Sequence, residues 1–398
     1  MKTKSMFKSV VSVGAAVAMA ACSLAFTGCE KAGGGASGYT ANNTEYVIGV
    51  SGPLTGSAAV YGVAVKNAAE MAVEEINAAG GLDGVKFKFV AMDDMHDATK
   101  VSTNYAKLLE GGMQVSLGTV TTAPCLEWKQ LSHEDNVFFL TPSASADAVP
   151  EFDNGYQMCF ADSNQGAVAA KQVNEDYKGQ TIGAFYKSDD AYSKGIFDKF
   201  KATLDSSITL KETSFTENTA TDFATQIDTL KDCKFVFLPI YAAPASLFIT
   251  QAKSIMSKDT VFYGCDGLDG IDSIEGFDIT TVPQEVSMLS QFNSKATEGA
   301  SKVFIDKYVA KYGKDTLNQF GASAYDCIYA LVDAMKAIKA KGKDIPVTIS
   351  ASDLCDLLKE EFQGGFKFSG VTGDSVTWDA NGYVNKTALK YVIKEADK

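Results

Sequence analysis

Arginine is absent from all 398 residues, so the 36 basic side chains are lysines and no planar guanidinium fork exists to grip a carboxylate or phosphate at two points. Sites built on arginine clamps are excluded. Histidine occurs twice, and neither His96 nor His133 belongs to a His-Glu-x-x-His pattern. The chain also lacks the Gly-x-Ser-x-Gly elbow and the phosphate-cradling Gly-x-x-x-x-Gly-Lys loop, so catalysis is not expected. Beyond the N-terminus the six cysteines (Cys125, Cys159, Cys233, Cys265, Cys327, Cys355) form no Cys-x-x-Cys pair, which argues against zinc, other metals and redox chemistry and leaves buried thiols or unassignable disulfides. Positive charge is scarce as well. A formal net charge of -13 repels nucleic acid and anionic membrane surfaces alike.

What is present is a core-forming composition, 46% hydrophobic, in a chain long enough for one large or two ordinary domains. Lys2, Lys4 and Lys8 precede an apolar run over residues 10–26, and Phe26-Thr27-Gly28-Cys29 follows. Such a basic, then apolar, then small-residue order is a secretory signal, and small residues before a cysteine resemble a bacterial lipobox with Phe26 in the place of the usual leucine. Cleavage before Cys29 with lipid on its sulfur is expected; Cys22, after Ala20-Ala21, is the second candidate. Losing residues 1–28 removes three lysines and takes the charge from -13 to -16. Residues 29–44, with Gly33-Gly34-Gly35, read as a flexible linker. No later segment is long and apolar enough to span a bilayer, so the membrane is met through the lipid alone.

From residue 45 onward, short β-branched runs alternate with stretches of helical period. Strands are expected at 46–50, 86–92, 115–118 and 137–140, with helices at 63–78, after the cap Asp97, and at 123–132. Ala64, Ala68, Met71, Ala72 and Ile76 share one face of the first helix, and Gly80-Gly81 ends it. After residue 163 the pattern restarts, with strands at 181–186, 235–240 and 261–264 and helices at 192–204, 223–230 and 244–255. Helices at 296–312 and 322–340 and strands at 375–378 and 389–393 complete the chain. The fold class is α/β, with two doubly wound lobes.

Ile48-Gly49-Val50-Ser51-Gly52-Pro53-Leu54-Thr55-Gly56, then Tyr61-Gly62, then Glu75-Ile76-Asn77-Ala78-Ala79-Gly80-Gly81-Leu82-Asp83-Gly84, stand in an order that resembles the opening of the periplasmic branched-chain amino-acid-binding protein family. Asp93-Asp94, Thr141-Pro142-Ser143-Ala144-Ser145 and residues 189–195 add to the resemblance, which covers essentially all of the mature chain. It implies a type I solute-binding fold, two α/β lobes joined by a three-strand hinge, with crossings near Phe160, Ser290 and Lys386. The expected division is 45–160 plus 291–385 for the first lobe and 161–290 plus 386–398 for the second. It implies further that the lobes close on a small amino acid, and that ABC-transporter permease subunits receive it from a monomeric, lipid-tethered protein without a cofactor. A binding protein for an amide, an aromatic acid or another small solute, signalling to a separate receptor, is the alternative; a signalling domain within the chain is not expected.

A zwitterion needs donors at one end and acceptors at the other, because an unpaired buried charge costs far more than apolar contact recovers. Thr121 and Thr122 follow the third strand and open a helix, where free N–H groups, the Thr122 hydroxyl and the helix dipole suit a carboxylate; a plain helix cap is the competing reading. Ser143, Ala144 and Ser145 follow the fourth strand: the Ala144 carbonyl suits the ammonium and the Ser145 hydroxyl and N–H either end, unless the segment is an ordinary turn. Asp266 matches the family's acidic ammonium partner, with Asp269 as rival and a turn aspartate as the alternative. Tyr61, Tyr192 and Tyr241 fall on family positions that line the cleft, with Tyr325 as a further candidate and core packing as the competing reading. Val120 and Trp128 are expected to influence pocket volume. His96 and Thr121 stand where some family members have a disulfide, so that staple is absent.

Overall fold

A computed structural model of the chain describes residues 42–397. Cys22, Cys29, the leader and residues 29–41 of the linker lie outside the described residues. Eleven strands among the described residues form two sheets. The first holds β1 (Tyr46–Gly52), β2 (Phe87–Asp93), β3 (Val115–Thr119), β4 (Phe139–Thr141) and β5 (Gly155–Gln157) in the order β2-β1-β3-β4-β5, all parallel. The second holds β6 (Thr181–Lys187), β7 (Thr209–Phe215), β8 (Phe235–Leu238), β9 (Val261–Gly264), β10 (Glu285–Ser290) and β11 (Leu389–Lys394) in the order β11-β10-β9-β8-β6-β7. Only β11 runs antiparallel to its neighbour. Parallel strands need covered faces, and the near-continuous burial of YVIGVSG in β1 reflects that.

Helices α1 (Ala59–Ala78), α2 (Val101–Glu110) and α3 (Thr122–Glu134) alternate with the first sheet, and α4 (Asp162–Asp176), α5 (Ala191–Thr203), α6 (Ala224–Leu230) and α7 (Ala242–Ala252) with the second. The helices after β10, α8 (Gly299–Tyr312), α9 (Gln319–Ala340) and α10 (Ala351–Gln363), return to pack on the first layer, α9 against α1 and α10 against α9. Every residue from Gln319 to Ile328 in α9 is buried. Each large side chain so enclosed contributes about 1.5–3 kcal/mol, which makes α9 the main support of the first lobe. The chain therefore passes between the sheets three times: between Gln157 and Asp162, after Ser290 and before Leu389.

The expected face of α1 is buried as read, and Gly80 and Gly81 end the helix with positive φ. Asp97 caps a short 3₁₀ turn (Ala98–Lys100) that leads into α2, accepting from the Thr99 amide. The expected strand at 375–378 does not form. Val376 and Trp378 make single bridges to Phe368 and Val384, because Gly370, Gly373 and a left-handed Ser375 (φ 55) interrupt any ladder.

Candidate functional site

The carboxyl ends of β1, β3 and β4 face those of β6, β8 and β9, which is where open α/β sheets receive ligands. At the first-lobe edge α1 comes very near the β1 loop because Gly62 has no side chain: an added Cβ would lie 2.1 Å from the Pro53 carbonyl oxygen. That approach sets Tyr61, one residue earlier, across the gap. Its hydroxyl donates to the Gly267 carbonyl at 2.6 Å and accepts from the Ala242 amide at 2.7 Å, both on the second lobe.

The remaining first-lobe wall is made of hydroxyls and a helix start. Thr121 takes extended backbone as the residue before α3, and no side chain caps that helix. The Thr121 hydroxyl is instead hydrogen-bonded to His96 Nδ1 at 2.8 Å, so the plain-cap reading fails. Pro124 occupies the third helical position and contributes no N–H, so the Thr122 and Ala123 amides are the donors left at this positive helix end. Ser143 donates from Oγ to the Val120 carbonyl, which ties the β4 loop to the β3 loop.

The Asp266 carboxylate and aromatic rings form the opposite wall. Tyr192 donates to Asp266 Oδ1 at 2.7 Å, while the Gly267 amide donates to Tyr192 Oη at 2.8 Å. The Asp266 amide is held by Gln165 Oε1 at 3.0 Å. Burial pushes the Asp266 carboxyl up to about 6, against the pull of Tyr192, Gln165 and the Gly267 amide. Asp162 opens α4 and anchors its amide on the Ser145 carbonyl at 2.8 Å. Both of its carboxylate oxygens are buried without a hydrogen-bond partner among the described residues. Burial drives this carboxyl well above the usual range, the nearby Ser145 hydroxyl tempers the shift and the negative Asp266 adds to it. Tyr241 stacks on Tyr192 at 4.6 Å and 19°, and its ring meets Tyr61 at 5.6 Å.

Tyr61, Thr121, Thr122, Ser143, Tyr192, Tyr241 and Asp266 thus surround one cavity, together with Val120, Gly267 and Phe320. Its volume is about 10 Å³, near the least that one water needs, so a larger guest requires the walls to part. A site with neutral donors and a helix N-terminus on one side and the buried Asp266 carboxylate on the other can neutralise a carboxylate and an ammonium at once; Asp162 is near Asp266 but does not line the cavity.

Five residues singled out in the sequence lie away from the cavity lining. The Ala144 carbonyl accepts from Gln157 Nε2 at 2.9 Å and faces the first-lobe interior. Ser145 lies off the cavity wall, engaged with Asp162. Tyr325 donates to Glu75 at 2.7 Å in a separate groove, and Trp128 packs edge-on against Tyr105 in the core. Asp269, the rival of Asp266, instead accepts from the Gln319 amide at 2.8 Å at the start of α9. The sequence reading missed Phe320, whose ring meets Tyr61 edge-on at 5.2 Å; Asn318, capping α9 just before it, was the available signal. It also missed Asp162, because the helix that this residue opens was not read from the sequence.

Comparison with known proteins places this geometry. The family model described as periplasmic binding protein matches residues 45–386. The leucine-, isoleucine-, valine-, threonine-, and alanine-binding protein of Pseudomonas aeruginosa is 28% identical over 318 residues, covering 76% of this chain and 80% of that protein. Among solved structures, the branched-chain amino acid transporter substrate binding protein LivJ of Streptococcus pneumoniae, in complex with isoleucine, superposes with a TM-score of 0.72 at 24% identity over 87% of this chain and 100% of its own. A solute binding protein of R. palustris in complex with benzoate gives 0.73 at 17% identity, over 88% and 93%.

Proposed function

The chain belongs to the periplasmic binding protein family, and we propose that it captures a small aliphatic α-amino acid between its lobes and delivers it to the permease subunits of an ABC importer. The observation that carries this reading is the pairing of the Thr121–Thr122 helix start with the Asp266–Tyr192 pair across one cavity. The ligand carboxylate meets the α3 amides and the threonine and Ser143 hydroxyls. Its ammonium enters between Asp266 and Asp162, relieving two acids that are otherwise buried without a cation. The rings of Tyr61, Tyr241 and Phe320 cover the aliphatic side chain.

Movement follows from the three passages between the sheets, which we take as a hinge, with lobes 45–160 plus 291–385 and 161–290 plus 386–398. Hinge closure around a ligand is the established motion of periplasmic binding proteins, and it can report occupancy because a ligand favours the state it contacts on both sides. Export and lipid on Cys29 hold the monomer at the outer face of the membrane. A benzoate-like ligand, as in the R. palustris structure, is the second reading. Such an anion has no group to satisfy Asp162 and Asp266, which favours the amino acid.

Isothermal titration of the ligand-stripped protein tests this with a panel of L-amino acids, benzoate and amides. One small aliphatic amino acid should bind at about micromolar strength, roughly -8 kcal/mol. Binding of benzoate without any amino acid would replace the first reading with the second, and flat traces for the whole panel from folded protein would remove both.

A further inference from the structure

Asp93, the last residue of β2, and Asp94 after it do more than end a strand. Asp93 accepts from the Leu54 and Met95 amides at 2.9 Å each and from the Thr55 hydroxyl at 2.6 Å. Asp94 accepts from the His96 amide at 2.9 Å and the Ser51 hydroxyl at 3.0 Å. Between them they hold two successive non-glycine residues, Met95 (φ 56) and His96 (φ 63), in the left-handed region. Side chains avoid that region, and strain of this kind persists only where the surroundings over-determine it.

The strained turn delivers one side chain to the gap between the lobes. His96 Nδ1 meets Thr121 Oγ1 at 2.8 Å on its own lobe, and its ring stands edge-on to Tyr241 of the other lobe at 5.2 Å and 78°. Thr121 and Tyr241 both line the ligand cavity. No covalent staple links residues 96 and 121, and this hydrogen bond joins them instead. We infer that His96 is a positioning residue for capture: its imidazole seats Tyr241 when the lobes meet and fixes the Thr121 hydroxyl at the cavity wall. The role rests on the amino-acid-binding reading given above.

Protonation should then oppose closure. Asp190, Lys187 and Glu217 face His96 from the second lobe and Asp97 from its own loop, acids and lysine pulling in opposite directions, while burial, the largest influence, lowers its affinity for a proton. In an opened cleft the ring returns toward the ordinary value of about 6.5. Closure therefore releases a proton, so the contribution of His96 to affinity is complete above that value and is lost as pH falls below it.

Only two histidines exist, so imidazole NMR of the full folded chain resolves the question, with H96Q assigning the resonances. His96 in the protein alone should titrate below about 6.5, rise toward that value in Y241A and fall further in excess L-leucine. For L-leucine binding, H96A should weaken affinity about tenfold at pH 7.5, with H96Q restoring most of it through an amide at the Thr121 contact and flattening the pH profile between about 5 and 7. Titration of His96 at the ordinary value, unmoved by Y241A, would overturn the inference. If L-leucine fails to bind at any pH, the amino-acid reading falls while the Y241A comparison still decides the role of His96.

Discussion

Tyr192 and Asp266 act as one unit: the phenol donates to the carboxylate at 2.7 Å while taking the amide of Gly267, the next residue, so ring and acid are fixed by each other and by one backbone turn. The pair gives a buried carboxylate a strong partner on Oδ1, and in the proposed reading Oδ2 meets the ligand ammonium. D266N should retain the Tyr192 contact and the fold but lose the charge pair. The expected loss in amino-acid affinity is about 2 to 5 kcal/mol, roughly thirtyfold to several thousandfold, read by calorimetry. Unchanged affinity would move the ammonium elsewhere.

The Tyr61 hydroxyl spans the lobes between the Gly267 carbonyl and the Ala242 amide. Y61F keeps the ring and leaves both groups unanswered in the closed form, a penalty of about 1–3 kcal/mol that the open form escapes through water. Small-angle scattering with saturating ligand should detect a larger open fraction. Affinity should fall by about five- to a hundredfold.

Stability without ligand should decline as pH rises from about 4 to 7. Burial raises Asp94 and Asp266 to about 6 and Asp269 to about 7, and Asp162 also rises, so the folded chain keeps protons that the unfolded chain, near 3.9, has released. Exposed acids such as Asp228 and Asp278 are lowered and act with the opposite sign, as does His96, but solvent and salt screen the exposed ones. Calorimetric melting of stripped protein should give a higher Tm at pH 5 than at pH 7.5. A Tm that climbs steadily with pH would contradict the buried-acid account.

All six described cysteines are buried free thiols. Native protein lacking the leader and Cys29 should take up no iodoacetamide over minutes, and denatured protein should take up six adducts without prior reduction. Burial raises Cys125 to about 11 and Cys355 to about 12, which keeps the thiolate scarce as well as hidden.

Much of this was legible because apolar rows declare themselves. The α1 face and the strands at Thr181–Lys187 and Val261–Gly264 follow from β-branched or periodic residues. Edge strand β7, TLKETSF, escaped because only Phe215 in it is buried and its polar residues mimic a loop. Helix α4 escaped for a similar reason, with Gln165, Asn174 and Glu175 diluting its apolar side. In the site, Thr122 was readable from a strand end that runs into a helix start, whereas Asp266 was marked only by the family resemblance. The aim of the Ala144 carbonyl was not, because it depends on Gln157 thirteen residues later, which no local pattern records.

The threefold weaving of the backbone between its sheets also constrains how such a protein can change over generations. Neither half is a contiguous cassette, so exchanging one for a homologue's would demand three simultaneous splices. Substituting a single aromatic ring facing the guest demands only one codon, and diversification of preference should therefore proceed by point change within an inherited frame.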